Sequence, residues 1–356
     1  MYNKILVILA FLIISCGSVY AQDSTGIIVY TMNKAISVAK INNTELVNAR
    51  YEQQKAAKKV SEVYSESLLP TITLNSQYSR AIKKQVFDIS FGGINQRFEV
   101  GSDNTIINSF QLSEPIPVLG TPVFEAIRIA DNYSNLQIEN VNSAEAKITA
   151  DVKIAYNNVL FMREVVNVRK QNLNNAQENY DVVEKKYRNG ISTEFDFLRA
   201  KVTFENLKPP VLESENNLII AKKFLKNAIG LKDNKDIDVT GKLTFDSTEY
   251  YGRIDDLINR ISENNVSIRQ LNINQNINRQ LLNIDKANYL PKLYLFGQYN
   301  LQAQENDGKS IGSYRFFNVL NAGLGLSWDL NFMRNTYKKQ QTEIEIKKTD
   351  ETISDV

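Results

Sequence analysis

The chain of 356 residues contains no histidine and only one cysteine, Cys16. The absence of histidine removes the commonest zinc ligand and the commonest general base near neutral pH. A single cysteine cannot form a disulfide within the chain. The sequence also lacks a G-x-S-x-G motif and a glycine-rich phosphate loop. These absences predict a protein that is not an enzyme and that uses neither a cofactor nor a metal.

The chain has no large excess of charge of either sign. Lys and Arg total 42 against 40 Asp and Glu, which gives a formal net charge of +2. Nucleic-acid-binding proteins usually carry a clear basic excess, so this balance argues against such a partner. Carboxylate pairs such as Asp255 with Asp256 lie in charge-rich segments, where a solvated helix face explains them.

Long hydrophobic runs are scarce, because nothing after residue 21 approaches the ~18 apolar residues that a membrane helix needs. A short apolar run at 5–14 precedes Val19-Tyr20-Ala21, which fits the small-residue rule for cleavage and predicts a signal peptide at 1–21. A second interpretation is that Ile13-Ile14-Ser15-Cys16 is a relaxed lipobox, which would leave a lipid on Cys16. An ordinary buried N-terminal helix is the third interpretation. Under the first two, the protein is exported, and any membrane must be crossed by strands.

Proline and glycine are sparse, and their positions divide the chain into long helices. After Pro122, residues 123–189 contain neither, which predicts a helix over 122–189 that is roughly 100 Å long. Its apolar residues recur at alternating steps of three and four, a spacing typical of coiled-coil packing. Gly190 ends this helix, and a return helix is predicted over 193–229. Pro209-Pro210 is expected to kink or interrupt the return helix.

One twelve-residue phrase occurs twice. Residues 68–79 read LLPTITLNSQYS and residues 289–300 read YLPKLYLFGQYN, each after a helical segment. Because proline ends a helix and alternation follows it, each copy predicts a helix and then a β-hairpin. Internal symmetry predicts that the second repeat stops on the order of 80–110 residues short. The predicted first repeat spans 28–245, with a helix at 31–67 and a hairpin at 70–114 that contains a loop at 89–104. The predicted second repeat spans 250–356, with a hairpin at 291–330 and a shortened helix at 334–356.

Side chains in the predicted strands alternate with a period of two. Ile72 and Tyr78 face one way and the intervening Thr, Asn and Gln the other, and residues 318–330 alternate in the same manner. Strands of about 10–13 residues can cross a bilayer when tilted, and a neutral polar face suits a water-filled lumen. Tyr78, Tyr299 and Trp328 are candidates for interface aromatics. The alternative is a soluble hairpin that packs on its own helices.

Four strands are too few for a barrel, because the smallest outer-membrane barrels have about eight. Open strand edges in lipid would leave unpaired N–H and C=O groups, each at a cost of several kcal/mol. Transmembrane hairpins would therefore have to be shared between copies of the chain. Three copies would supply twelve strands.

Together these segments resemble the TolC family of outer-membrane efflux proteins. The resemblance covers about residues 28–350 and includes the export signal, both copies of the phrase, YRNGISTEFDFLRAKVTFENL at 187–207, and IAKKFLKNAIGLK. It implies a mainly α protein with transmembrane β strands, assembled as a homotrimer with a twelve-stranded β-barrel in the outer membrane and a periplasmic α-helical barrel. It also implies passive export of small molecules, metals or proteins. An inner-membrane pump and a periplasmic adaptor protein would deliver them, as in tripartite efflux or type I secretion.

The resemblance assigns the turn after the long helix to adaptor docking. A helix reversal also favours glycine, which adopts φ > 0 without strain, so a purely local role for this turn stays open. Asp196 on the following helix is a candidate for a local cap and is assigned no docking role. The family's second turn, with its acidic constriction, would lie beyond Val356. The docking residues are Tyr187, Arg188, Asn189, Gly190, Ile191, Ser192 and Thr193.

Two other functions fit part of the pattern. A periplasmic or surface coiled-coil structural protein or adhesin would have the long helices, but its strands would have to be soluble. A periplasmic adaptor would have helical hairpins, but two lipid-type β-hairpins in a repeat are not expected of it. The interruption expected at Pro209-Pro210 departs from the family pattern, which keeps this helix continuous.

Overall fold

The computed structural model describes residues 27–91, 94–232, 235–243 and 265–355. The predicted signal peptide, Cys16 and the beginning of the predicted second repeat lie outside these ranges. In chain order the elements are β1 (Ile28–Tyr30), α1 (Met32–Asn42), α2 (Thr44–Leu68), β2 (Thr71–Arg80), β3 (Gln85–Phe91), β4 (Ile94–Val100), β5 (Asn104–Leu119), α3 (Val123–Arg188), α4 (Glu194–Ile229), β6 (Ile237–Val239), α5 (Val266–Ala287), β7 (Lys292–Glu305), a short 3₁₀ turn (Ile311–Ser313), β8 (Phe316–Ser327) and α6 (Phe332–Ser354).

The chain divides into two compact units, and each combines separate stretches of sequence. The first unit contains β1, α1, α4, β6 and the C-terminal part of α3. The second contains α2, β2–β5, the N-terminal part of α3, and α5–α6 with β7 and β8. The first unit takes its residues from Met1–Thr44 and Lys147–Ser247, and the second from Glu45–Ala146 and Thr248–Val356.

In the first unit, α3 is hydrogen-bonded to a parallel pair of short strands, β1 and β6. The hydroxyl of Tyr156, which is buried, lies 3.1 Å from the carbonyl oxygen of Tyr30 and 2.6 Å from that of Thr240. Arg163 donates to the carbonyl oxygens of Val239 and Gly241, at 2.8 and 2.7 Å. These bonds hold α3 against the strand pair at positions two helical turns apart.

Tyr156→Phe is expected to destabilise the first unit by about 1–2 kcal/mol, because it removes the buried hydroxyl that donates to the strand carbonyls while keeping the ring. Thermal unfolding of the purified protein would show this as a lower midpoint. Tyr133→Phe is a matched control, since the Tyr133 ring is 43% exposed. Equal midpoints for the two variants would contradict the assigned role of the Tyr156 hydroxyl.

A break at Asn43 separates α1 from α2, so the prediction of a single helix over 31–67 is wrong. Asn43 has an extended backbone, with φ −65° and ψ 125°. Its side-chain amide donates to the carbonyl oxygen of Ala228, near the end of α4, at 3.0 Å. This long-range contact fixes the place where α1 ends, and helical periodicity does not encode it.

Helix α4 continues through Pro209 and Pro210, so the predicted interruption is wrong. The two prolines lack N–H groups, which leaves the carbonyls four residues earlier without their helical partners. Contacts just after the prolines favour the helix: Val211 is buried, and Glu215 forms an ion pair with Lys170 of α3 at 2.7 Å. Packing of a helix face commonly outweighs local propensity.

The second unit contains a four-stranded antiparallel sheet in the order β2-β5-β7-β8. Phe110 on β5 lies opposite Leu74 on one side and Tyr299 on the other, and Tyr299 lies opposite Leu320. Strands from both halves of the chain therefore form one sheet. Among the described strands, β2 and β8 are its edges.

The segment between β2 and β5 is a further hairpin, so the prediction of a loop at 89–104 is wrong. Strands β3 and β4 pair from Gln85 opposite Val100 to Phe91 opposite Ile94. They form a two-stranded sheet of their own rather than extending the larger one. The alternation of apolar residues at Phe87 and Ile89 was the available signal, but the nearby glycines indicated a loop instead.

Strand β5 extends to Leu119, so the predicted end of the hairpin at residue 114 is also wrong. The pairing with β2 ends where Thr71 lies opposite Ser113, while the pairing with β7 continues to Pro115 opposite Tyr294. At Pro115 the strand therefore has a neighbour on one side only. Proline is tolerated there, because the side of the strand without a neighbour needs no backbone N–H donor.

Polar side chains connect the helices of the second unit. Arg269 on α5 lies 2.9 Å from Glu139 on α3, and this guanidinium holds the pKa of the Glu139 carboxyl below its usual value. Asp285 on α5 is buried and accepts a hydrogen bond from Thr342 of α6 at 2.6 Å.

None of the helices in the described part of the chain combines the length and the apolar composition that crossing a bilayer requires.

Candidate functional site: a helical turn and a two-faced sheet

The predicted docking residues form the turn between α3 and α4. Gly190 has φ 72°, and the N–H of Ile191 donates to the carbonyl of Lys186 at 2.8 Å, which closes the end of α3 in a Schellman motif. The Thr193 hydroxyl oxygen accepts from the N–H of Asp196 at 3.1 Å and donates to its carboxylate at 2.6 Å. Thr193 is therefore the N-cap of α4, and the Asp196 carboxylate accepts the hydrogen bond that its hydroxyl donates.

Four aromatic rings brace this turn from behind. The Tyr187 and Phe197 rings stack with centroids 5.0 Å apart, and the Tyr180 and Phe204 rings stack at 5.7 Å. The ammonium of Lys208 lies 4.5 Å from the centroid of the Phe204 ring. Only Tyr187 belongs to the predicted docking set. The other three rings were missed. Tyr180 and Tyr187 on α3 are seven residues apart, as are Phe197 and Phe204 on α4, and this spacing places both rings of a helix on the same side.

The outer surface of the turn is apolar. Ile191 is 75% exposed and Phe195 is 70% exposed, and Leu198 and Val202 on the next turns of α4 are also exposed. Arg188, beside them, is engaged in an ion pair with Glu184 at 2.9 Å. Large apolar side chains that remain in water on a braced turn are typical of a protein-docking surface. We call Ile191, Phe195, Leu198 and Val202 the turn patch.

The four-stranded sheet has one aliphatic face and one polar face. On the aliphatic face Leu295 lies opposite Leu324, and Ile72 and Leu320 are 72% and 74% exposed. On the other face Gln298 lies opposite Asn321. An exposed aliphatic face on a sheet whose other face is neutral and polar matches a strand wall between lipid and water.

Two aromatic rings lie over glycines on the polar face, and the sequence prediction missed them. A Cβ atom on Gly323 would lie 3.3 Å from the ring of Phe296, and one on Gly325 would overlap the ring of Tyr294. Each ring thus fills the space above a glycine on the neighbouring strand. By strand alternation alone, Gly323 and Gly325 are simply positions on the polar face, but their cross-strand register shows that they make room for rings.

The predicted interface aromatics lie at different heights in the sheet. Tyr78 is near one end, where its hydroxyl donates to Asn104 at 2.7 Å, and Trp328 follows β8 at the other end, where its indole N–H donates to the carbonyl of Tyr289 at 3.1 Å. Tyr299 lies in the middle of β7.

Within the described ranges, no cluster of three or more metal-binding side chains occurs.

Long paired helices, a turn supported by stacked rings and a sheet with one exposed aliphatic face are typical of membrane proteins of mixed α and β structure. The family model for outer membrane efflux proteins matches residues 35–231. The chain therefore belongs to the outer membrane efflux protein family, and the resemblance drawn from its sequence is confirmed. Its localisation to the outer membrane follows from this membership.

Curated relatives and solved structures agree with this assignment. The chain is 25% identical to outer membrane protein TolC of Escherichia coli over 211 residues, 58% of this chain and 41% of that protein. It is 23% identical to TolC of Vibrio cholerae over 301 residues, 84% of this chain and 64% of that protein. The chain thus spans less than two thirds of these relatives.

Two solved outer-membrane channels share the fold. The CmeC channel of Campylobacter jejuni superposes with a TM-score of 0.72 at 18% identity, covering 91% of this chain and 67% of that one. The open state of the MtrE channel of Neisseria gonorrhoeae gives 0.67 at 18% identity, covering 90% and 68%. The predicted fold class, long helices combined with a membrane-type β domain, is confirmed.

Proposed function

We propose that this protein is the outer-membrane channel of an export system and acts as a passive conduit rather than as an enzyme. The observation that carries the proposal is the four-stranded antiparallel sheet with an exposed aliphatic face, a neutral polar face and two edges. Such a sheet satisfies its edges in lipid only by pairing with other copies. Three copies would pair β2 of one chain with β8 of the next and close a barrel of twelve strands.

The transported cargo would be a small molecule, a metal or a protein that an inner-membrane pump delivers. A periplasmic adaptor would join the pump to this channel by docking on the turn between α3 and α4. The turn patch supports this role, because its apolar side chains are exposed while the nearby charge of Arg188 is already paired. A rigid patch binds with a smaller entropy loss than a flexible one, and the stacked rings behind it provide that rigidity.

The docking role is tested with a double substitution, Ile191→Asp with Phe195→Asp, in cells that carry no other copy of the gene. Two charges placed in an apolar contact are expected to reduce export at least about tenfold, which corresponds to ~1.4 kcal/mol of lost docking energy. Export is measured as the efflux rate of a fluorescent dye or as resistance to a panel of antibiotics. The amount of trimer in the outer membrane should stay unchanged.

Asn175→Asp with Gln177→Asp is the matched control, since it adds two charges at exposed positions of α3 outside the docking residues and should leave export near normal. Normal export by the double variant would contradict the docking role. The channel itself is tested by fractionation and by a heat-modifiable trimer band. Extraction by urea without detergent would instead support the coiled-coil structural alternative.

A further inference from the structure

The hairpin formed by β3 and β4 has two chemically different faces. Phe87 on β3 lies opposite Phe98 on β4, and these residues share a face with Ile89 and Val100. All four side chains are between 44% and 55% exposed. On the other face Asp88 and Arg97 lie opposite each other, 2.9 Å apart. We call Phe87, Ile89, Phe98 and Val100 the hairpin patch.

A polar clasp fixes the root of this hairpin to the connection after β7. Lys84 lies 2.9 Å from the carboxylate of Asp103 and 2.9 Å from the side-chain oxygen of Asn306. Arg80 lies 2.6 Å from the carboxylate of Asp307. The backbone N–H of Asp307 donates to the carboxylate of Asp103 at 2.9 Å. That N–H and the Lys84 ammonium hold the pKa of Asp103 below its usual value. The hairpin therefore leaves the sheet from a fixed base.

The clasp also sets the height of the hairpin relative to the membrane. Strand β2 has ten residues and ends at Arg80. At ~3.4 Å per residue and a tilt of ~40°, it rises about 26 Å, which matches the ~25 Å apolar band of a membrane barrel. The charged clasp then lies at the edge of the hydrocarbon layer, and the hairpin patch lies beyond it. Acyl chains do not extend that far, so lipid tails leave the patch uncovered.

Water is a poor surrounding for the patch as well. An isolated two-stranded hairpin is marginally stable in water at best, and it becomes stable when its apolar face packs on something. The proposed closure of the barrel brings three identical hairpins to the same end of one cylinder, because a closed symmetric assembly repeats each surface around its axis. Three copies of the patch would thus stand together at that height.

We propose that the hairpins of three copies meet through their hairpin patches and form a cap that narrows the outer mouth of the channel. The inference rests on the proposed channel function. The polar face with the Asp88–Arg97 ion pair would then be exposed to water. The cap limits what enters from outside, while the clasp keeps each hairpin in position as cargo leaves.

Cysteine cross-linking in the full chain tests this contact. Ile89→Cys places a thiol in the hairpin patch, and mild oxidation is expected to link two of the three copies into a dimer on a denaturing gel. Val86→Cys is the matched control, because Val86 lies on the same strand, faces the other way and is 39% exposed. It should give no dimer, and neither should the parent chain. An intact trimer in which Ile89→Cys does not cross-link overturns the cap.

Single-channel conductance gives a second, independent measurement. Phe87→Ser with Phe98→Ser removes the two rings of the patch and is expected to raise the conductance about twofold or more, because the narrowest part of a pore dominates its resistance. Glu99→Ser, on the polar face, is the control and should conduct like the parent. Equal conductance for all three overturns the cap but leaves the channel proposal intact. A parent chain that forms neither a trimer nor a channel refutes both.

Discussion

Gly230→Ala is expected to destabilise the folded protein by about 3 kcal/mol or more. Gly230 ends α4 with φ 79°, a left-handed conformation that costs an L-residue about 1–2 kcal/mol. A Cβ atom there would lie 2.6 Å from the carbonyl oxygen of Asn42 and 2.8 Å from the nitrogen of Asn43, both backbone atoms. Backbone cannot rotate away as a side chain does, so α4 would have to move from the end of α1.

The measurement is the temperature at which the purified protein loses its native gel mobility. Gly190→Ala is the matched control, because Gly190 has nearly the same φ of 72°, but a Cβ atom added there would meet nothing within 4 Å. It is expected to cost only the local strain, about 1 kcal/mol. If both variants lose mobility at the same temperature, the close approach of α1 and α4 at Gly230 has no energetic role.

Leu324→Arg is expected to prevent most of the protein from reaching the outer membrane in folded form. Leu324 lies on the aliphatic face of the sheet, 66% exposed, opposite Leu295. An arginine on the lipid face of a membrane barrel costs about 2–4 kcal/mol near the bilayer midplane. In three copies the cost would be incurred three times. The yield of trimer in outer-membrane fractions measures the effect.

Asn321→Arg tests the other face of the same strand. Asn321 is exposed and lies opposite Gln298 on the polar face, where water would solvate a guanidinium. This variant should assemble at nearly the parental level and change only the ion selectivity of the channel. If the two variants assembled equally well, the aliphatic face of β8 would not be the lipid face, and the membrane role of the sheet would fail with it.

Much of the fold was predictable because it depends on local periodicity. The seven-residue spacing on α3 predicted a packed stripe, and Ile148, Val152 and Val159 are indeed buried. The strand alternation predicted two faces, and the register places Leu295 opposite Leu324 on the same face. These patterns repeat over many residues, so one unfavourable position does not obscure them.

The errors in prediction occurred where a distant contact outweighs a local signal. Asn43 interrupts a helix-compatible sequence because its amide reaches Ala228. Pro209 and Pro210 stay inside α4, against their propensity. The hairpin β3–β4 occupies a segment whose glycines suggested a loop. The ring set behind the docking turn was missed because stacking between Tyr187 and Phe197 depends on how two helices pair.

The long helices, the alternating strands and the turn at Gly190 could be predicted from residue spacing, and the family from its resemblance in short motifs, because such patterns are properties of neighbouring residues along the chain. Contacts between distant parts of the chain set which strands lie side by side, where α1 ends, and that the hairpin patch follows a charged clasp. Those features depend on atoms brought together from positions far apart in the chain, where geometry rather than residue spacing sets the energy.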